Sequence, residues 1–397
     1  MTSSDTSDAA RAEAPPLPEA PPPSETPPPP EAIVAAAGAR GALYRLRTPM
    51  TSAALPWVMP YAFVAPPARG GGVTLFDAGY GTADATRALT AQLAALDRRP
   101  ADVERLIVSH FHPDHVGMAG WLKEQNPDLE LVMHRADAAI YAGMDRGHAH
   151  WEAEMRSWGL RHGFDPTDLD RAEEERRERR ERERAQRHER SQDTARETEQ
   201  RQWEMRRIEP ARLVDDGEEI AFDGWTLVSQ WTPGHTPGHL CIHIPDERLT
   251  FTGDHVLSRI TPNVSYHAED EEQGRDPLAE FLDSLRKTAA LDTRLALPAH
   301  EELIADLPAR CHDIIEHHRH RADEVIAGIG EGADGATAYE IASRVTWNRP
   351  WETFSIWKRR SAIGETLSHL RLVEVEGRVR RIEDHGGKQP VVRWLPR

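Results

Sequence analysis

The sequence predicts an α/β fold on three observations: short β-type runs recur along most of the chain, stretches with helical apolar spacing alternate with them, and Pro or Gly clusters separate the two. Residues 1–32 are Pro, Ala, Glu and Ser with almost no large apolar side chain. They cannot bury enough surface to offset their ordering entropy and are expected to form a disordered tail. Runs at 43–47, 60–64 and 73–77 read as strands, and Ala78-Gly79-Tyr80-Gly81 ends the third with a turn. Helical spacing over 82–96 puts Leu89, Leu93 and Leu96 on one face. A buried strand is expected at 105–109 and a helix at 116–125, with Asp114 where a carboxylate favours the helix N-terminus.

Residues 170–207 are nearly all Arg, Glu and Gln and carry no apolar stripe. Glu173 with Arg177, Glu175 with Arg179, Glu178 with Arg182 and Glu183 with Arg187 stand four apart with the acid first, which supports a solvated helix. Such a helix can serve as a lid or a partner surface; an insertion held up by its own charge pairs is the simpler reading. From Arg212 the β pattern resumes, with runs at 220–222, 225–230, 240–244 and 248–252, followed by a long loop, a helix over 277–291 and a strand at 294–297. Beyond Glu301 the chain reads as helical, with helices at 338–345 and 361–372. The exception is a closing strand pair at 373–381 and 391–394, with Gly377 and Gly386-Gly387 as turns. A domain boundary is placed near residue 315, and no internal repeat is present.

Composition excludes several functional classes. The 397 residues allow about two domains. With 49 Lys and Arg against 66 Asp and Glu the net charge is −17, a poor balance for general polyanion binding, which needs clustered basic side chains. Cys241 and Cys311 lie far apart and outside any CxxC spacing, which argues against a disulfide scaffold and a thiolate zinc knuckle and makes a reducing cytoplasmic setting the default. No apolar run approaches the roughly 18 residues of a membrane span, and no basic and apolar leader opens the chain.

His or Asp repeatedly follows directly after an expected strand. The order is His110-Phe111-His112-Pro113-Asp114-His115, then Thr232-Pro233-Gly234-His235-Thr236-Pro237-Gly238-His239, then Gly253-Asp254, then Pro298-Ala299-His300. Sites in α/β architectures gather beyond the carboxyl ends of strands, so these four loops are expected to meet on one edge. One His near a strand end is more often a core or surface residue than a ligand; seven such candidates are enough for two metal ions sharing a carboxylate. Imidazole and carboxylate without thiolate suit Zn²⁺ first, and Fe or Mn as alternatives.

HxHxDH, then GHTxGH, a TGD after a strand and a late PAH resemble the metallo-β-lactamase superfamily of binuclear hydrolases over residues 41–305. The resemblance implies an αββα sandwich, two mixed sheets face to face with helices outside. It implies His110, His112 and His235 on one metal, Asp114, His115 and His300 on the second, Asp254 bridging, and Asp77 supporting the site from behind. It further implies a metal-bridging hydroxide as nucleophile, with Asp114 orienting it and carrying a proton towards the leaving group. His239 matches a His that is generally structural in the family, and His243 and His255 are not expected to be ligands. Many zinc β-lactamases carry Cys where this chain has Asp254, and flavodiiron proteins carry Glu where it has His112. Both departures point to a hydrolase other than an antibiotic-degrading one.

Tyr266, His267, Ser258 and Arg259 follow Asp254 in a loop where family members place substrate-contacting groups. Trp151 and Trp158 are candidates to cap the site, or simply pack a helical pair. His317-His318-Arg319-His320 is expected on a solvated helix face. Residues 316–397 resemble a small winged-helix domain appended to one subgroup of these hydrolases, on Lys358-Arg359-Arg360, Leu367-Ser368-His369-Leu370 and Glu376-Gly377-Arg378-Val379. That subgroup includes an endoribonuclease and polyketide-releasing thioesterases. Basic and acidic side chains nearly cancel here, so a packing or substrate-wall role is favoured over nucleic-acid binding. The expected activity is hydrolysis of a small ester, thioester or lactone. The alternatives are a metal-dependent endoribonuclease or single-strand nuclease, and an interaction module built on the Arg/Glu helix with the enzyme core retained. The expected partner is a small-molecule substrate, and no feature of the sequence sets an oligomeric state.

Overall fold

Two sheets organise the chain in a computed structural model that describes residues 28–37, 40–50, 55–143, 156–190, 206–386 and 390–397. The first is built from β1 (Glu31–Val34), β2 (Ala42–Arg45), β5 (Tyr61–Val64), β6 (Val73–Phe76), β7 (Val103–Ile107), β8 (Glu130–His134) and β9 (Arg212–Val214), in that order. The small pair β3 (Thr48–Pro49) and β4 (Trp57–Val58) lies apart. The first four strands of the large sheet pair antiparallel and β6 to β9 parallel. The second sheet runs β10 (Glu219–Phe222), β11 (Trp225–Trp231), β12 (Leu240–Ile244), β13 (Leu249–Gly253) and β14 (Leu295–Pro298), antiparallel except for the parallel pair β13 and β14.

Strand periodicity sorts the apolar side chains into layers. On β6, β7 and β8, Leu75, Leu106, Leu131 and Met133 face one way; Phe76, Ile107 and Val132 face the other. The first set packs under α1 (Ala83–Ala95), α3 (Ala119–Gln125), which follows the single turn α2 (Pro113–Val116), and α4 (Arg135–Gly143). The second set meets Leu227, Ile242, Phe251 and Leu297 of the other sheet, where Phe251 stacks edge-on to Tyr61 with centroids 5.0 Å apart. Residues 156–161 form α5 and Pro166–Arg190 α6. After them come α7 (Ala268–Gln273), α8 (Pro277–Ala289) and α9 (Leu307–Ile329). Phe281 and Leu285 of α8 and Ile314 of α9 cover the outer face of the second sheet. This is the four-layer αββα sandwich.

Helix starts are set by side chains that accept a free backbone N–H. Thr82 does this for α1, Asp276 for α8 and Asp306 for α9. Thr337 and Ser355 do it for α10 (Ala338–Ala342) and α11 (Ile356–Val375). The chain ends in the hairpin β15 (Val379–Asp384) and β16 (Val391–Pro396).

Several expectations need correction. The expected tail overlaps β1, because Glu31–Val34 gains a partner strand in β2; residues 1–27 lie outside the described residues. Strand β8 and helix α4 fall in a stretch where the sequence pattern marks no element, and β9 opens the region from Arg212 where the β pattern resumes. The boundary near residue 315 falls inside one continuous helix: Cys311, Ile314 and Ile315 of α9 pack with the hydrolase layers, whereas Ala322, Val325 and Ile329 pack in the C-terminal core. Residues 373–375 close α11 rather than open the hairpin, so the first strand begins at Val379. The expected helices at 338–345 and 361–372 are observed as Ala338–Ala342 and Ile356–Val375.

Helix α6 begins at Pro166 and is not wholly solvated. Leu169 packs against the C-terminal core, Arg176 lies over the Trp357 ring at 4.4 Å and Arg359 pairs with Asp168. Of its expected charge pairs, Glu178 with Arg182 stands at 3.6 Å, while Glu173 reaches Arg156 at 3.1 Å and Arg177 reaches Glu174 at 3.0 Å. The pairs Glu175 with Arg179 and Glu183 with Arg187 involve side chains outside the described ones, as do residues 191–205 and Trp151. His318 is 1% exposed, not solvated, with Nδ1 3.1 Å from His369 Nε2. No helix among the described residues is long and apolar enough to cross a membrane.

Candidate metal centre

Strands that run the same way put the ends of β6 and β7 on one edge of the first sheet, and those of β11, β13 and β14 on the matching edge of the second, β11 and β13 both being antiparallel to β12. Asp77 follows β6, His110 follows β7, His235 β11, Asp254 β13 and His300 β14. Pro113 opens α2 with a backbone angle already suited to a helix, which seats Asp114 and His115 beside the strand end. Asp77 and Glu301 hold φ at +56° and +64°, an uncommon conformation for residues other than Gly, where the chain turns sharply out of its strand. Gly253 shares it at +50°, and a Cβ there would stand 2.7 Å from both His239 Nε2 and Ser109 Cβ.

All seven expected ligands come together. Donor atoms of His110, His112 and His235 lie within 4.8 Å of one another, as do those of Asp114, His115 and His300, and those of His110, His115 and Asp254. Asp254 touches both outer groups: its carboxylate is 3.6 Å from His235 Nε2, 3.5 Å from His115 Nε2 and 3.3 Å from His300 Nε2. Asp114 Oδ2 is 3.6 Å from His115 Nε2 and 3.5 Å from His300 Nε2.

Groups behind the ligands determine which nitrogen faces inward. His115 donates Nδ1–H to Asp77 at 2.9 Å, His235 to the Asn263 carbonyl at 2.8 Å and His300 to the Trp57 carbonyl at 2.9 Å. Each ring therefore turns Nε2 into the site. Asp77 also accepts from Ser109 N–H and Oγ–H, at 2.8 and 2.9 Å.

A cation fits this arrangement on two counts. His115 Nε2, His300 Nε2 and Asp254 Oδ1 are buried without a hydrogen bond, an arrangement that costs about 1–3 kcal/mol per group when nothing else serves it. His112 Nδ1 stands 2.9 Å from His110 Nε2 and 3.1 Å from His235 Nε2, so three ring nitrogens share a space where one proton can serve only two. Burial, with His115, His112 and His235 close by, holds His110 well below the usual imidazole range; burial and His235 push His112 down to about 3, the neutral form a metal needs. At His115 burial pulls the same way, but Asp114, Asp254 and Asp77 outweigh it and hold that ring well above its ordinary value. Among the described residues no Lys or Arg forms an ion pair with Asp77, Asp114 or Asp254, whose partners are the imidazoles of His115, His235 and His300.

The other histidines separate from the cluster. His239 accepts from Asp254 N–H at 3.2 Å and meets Thr232 Oγ1 at 2.9 Å, so both of its nitrogens are used in holding the loop. His243 pairs with Thr250 Oγ1, and His255 is buried beside Phe281. Tyr266 departs from its expected substrate-facing place: its ring packs in the C-terminal core. His267 starts α7, its N–H donating to Asp270. Arg259 stays near the site's rim through Glu301, which accepts from Arg259 N–H at 2.7 Å, with Ser258 Oγ 3.3 Å from the same carboxylate oxygen. Trp158 packs against the C-terminal core and His162.

Asp137 belongs to the site without standing in any of the motifs the sequence displays. On α4 and fully buried, it accepts from Phe111 N–H at 3.0 Å, Thr236 Oγ1–H at 2.9 Å and Gly238 N–H at 2.6 Å. It thus joins the loop bearing His110 and His112 to the loop bearing His235. Burial pushes its carboxyl up to about 7, against the pull of those donors. Its one signal in the sequence is an Asp three residues beyond a strand, β8, that the residue pattern does not mark.

The profile of the Metallo-beta-lactamase superfamily matches residues 60–300. The chain is 24% identical over 311 residues to "Probable metallo-hydrolase YqjP" of Bacillus subtilis, covering 78% of this chain and 86% of that one. It is 32% identical over 134 residues to "Lactamase-like protein aptB" of Emericella nidulans, covering 32% of this chain and 40% of that one. Among solved structures it is similar to a metallo-beta-lactamase family protein of Thermus thermophilus, with TM-score 0.66, 28% identity and coverage of 89% and 98%. A beta-lactamase domain protein of Burkholderia ambifaria shares the fold at TM-score 0.69 and 23% identity, over 92% of this chain and 93% of that one.

Proposed function

Because the chain belongs to the metallo-beta-lactamase superfamily and is a metal-dependent hydrolase, we propose that its centre is binuclear, with His110, His112 and His235 holding one divalent cation, Asp114, His115 and His300 the other, and Asp254 bridging. The observation that carries this reading is the convergence of seven donors, three of them imidazoles whose outward N–H groups are already engaged. Zn²⁺ suits the imidazole and carboxylate set best, since both cysteines are buried elsewhere. When bound, such ions supply Lewis acidity and lower the pKa of water towards 7. The chain's own side chains do the rest. His115, His235 and His300 are held by Asp77, Asn263 and Trp57 with Nε2 inward, and Asp114, partly exposed, takes the proton of the attacking water and passes it to the departing oxygen or sulfur.

The proposed substrate is a small ester, thioester or lactone. An excess of 17 negative charges weighs against an extended polyanion, and Asp at position 254 against a β-lactam. A nuclease is the second reading, supported by the order of helices followed by a hairpin in α9 to β16, which is winged-helix-like. Metal analysis joined to a panel of thioester, lactone, phosphodiester and β-lactam substrates, each with and without chelator, tests both. Chelator-sensitive cleavage of a thioester or lactone is the expected result. A purified protein with neither metal nor chelator-sensitive activity refutes the first reading, and cleavage of a single-stranded oligonucleotide alone selects the second.

A further inference from the structure

The hydrogen bond that orients His235 leads out of the hydrolase layers and into the C-terminal core, and from this we infer that α11 is a positioning element of the metal centre. The inference rests on the reading that His235 holds a metal. The acceptor of His235 Nδ1–H is the backbone carbonyl of Asn263, in a loop that leaves the site after Asp254. That loop lies along one face of α11, on residues three, four and seven apart. Asn263 Nδ2 donates to Ser361 Oγ at 2.6 Å, Tyr266 N–H to the Gly364 carbonyl at 3.0 Å, and Ser368 Oγ–H to the Val264 carbonyl at 2.7 Å. Ser265 Oγ–H donates to Asn263 Oδ1 at 3.1 Å, so the Asn263 amide is held from both ends.

The approach is close enough to need a small residue. A Cβ on Gly364 would stand 2.8 Å from Ser265 Oγ and 3.0 Å from Ser265 Cβ. The helix itself is firmly placed, with Ile363, Leu367, Leu370 and Val373 fully or almost fully buried in the C-terminal core. Its seat for the loop is therefore as rigid as that core. A carbonyl that holds one ring nitrogen sets the direction of the other, and partners of this kind change metal affinity about 10–100-fold when lost. The C-terminal segment thus reaches the centre without touching substrate: through Ser361 and Gly364 it sets the position of Asn263, and through Asn263 the aim of His235.

The test measures metal binding on the folded protein by competition with a chromophoric chelator, and the visible absorption of the Co²⁺-loaded protein. Ser361→Ala removes one anchor, and Gly364→Leu drives the loop off its seat. Ser361→Thr keeps the hydroxyl, and Val375→Ala changes an exposed residue of the same helix. The expected result is that one of about two bound equivalents weakens roughly tenfold in Ser361→Ala and 10–100-fold in Gly364→Leu, with an altered Co²⁺ spectrum, while Ser361→Thr and Val375→Ala match the parent. If Gly364→Leu fails to fold, Ser361→Ala and its Thr counterpart carry the decision. A parent that binds metal, with both variants binding equally well and only their unfolding midpoints shifted, overturns the inference and leaves the proposed function standing. A parent that binds no metal overturns both.

Discussion

Replacing Asp137 by Ala strands three buried donors at once: Phe111 N–H, Gly238 N–H and the Thr236 hydroxyl. Each buried donor left without an acceptor costs about 1–3 kcal/mol, so the sum is about 3–9 kcal/mol. The Thr236 hydroxyl can rotate and the small cavity can admit water, which places the expected loss towards the lower end, about 3–5 kcal/mol. Asp137→Asn separates size from charge. It fills the same space but offers one acceptor oxygen, and the donors come from opposite sides, so one backbone N–H must face an NH₂ group; about 1–3 kcal/mol is expected. Urea unfolding in excess chelator at about pH 8, above the imidazole range, isolates the protein's own stability from metal binding. Metal titration should then show affinity at the His110, His112 and His235 group falling in the same order, Ala below Asn below the parent. An Ala variant within about 0.5 kcal/mol of the parent, the range of an inconsequential surface change, refutes the clamp.

Chelation should lower the unfolding midpoint in proportion to the bound metal, since a ligand at a hundred times its Kd stabilises the folded state by about 2.7 kcal/mol per site; an unchanged midpoint contradicts the binuclear reading. Asp254→Asn should take bound metal from about two equivalents to about one and lower kcat/KM at least about a hundredfold, read by metal analysis and turnover on the responsive substrate. His369 is a pH test away from the centre. Burial pushes its imidazole down to about 3, whereas the unfolded chain titrates near 6.5, so between those values the unfolded state alone takes up a proton. Stability from this group is complete above about pH 6.5 and falls by about 1.4 kcal/mol per pH unit below it. His369→Leu should reduce the acid slope by that amount in metal-free protein, and equal slopes in variant and parent exclude the assignment.

The seven donors were legible because a metal site built at strand ends concentrates its ligands in short contiguous stretches. His110 to His115 and the Gly234 to His239 loop announce themselves without any knowledge of what they face. Strands β6, β12 and β13 are legible for a similar reason, as short runs rich in apolar and β-branched residues between Pro, Gly and polar turns. Other features leave no such trace. Asn263 acts through a backbone carbonyl, which every residue possesses. His318 looks solvated among polar neighbours, yet α11 covers it. Strand β8 and helix α4 lack a clear period over so few residues, so Asp137 had no element to belong to.

The sequence by itself determined the α/β alternation, the ligand types and their order along the chain, because propensity, turn chemistry and short-range spacing are local properties. Only the tertiary structure decided which atoms meet. The parallel registers of β6 with β7 and of β13 with β14 put His110 and His300, far apart in the chain, at the ends of strands in two sheets, and the packing of those sheets face to face brings them together. The same folding runs α9 through two cores and lays the Asn263 loop on α11. Those contacts depend on the burial of surfaces distant in sequence, a non-local free energy that no window of neighbouring residues records.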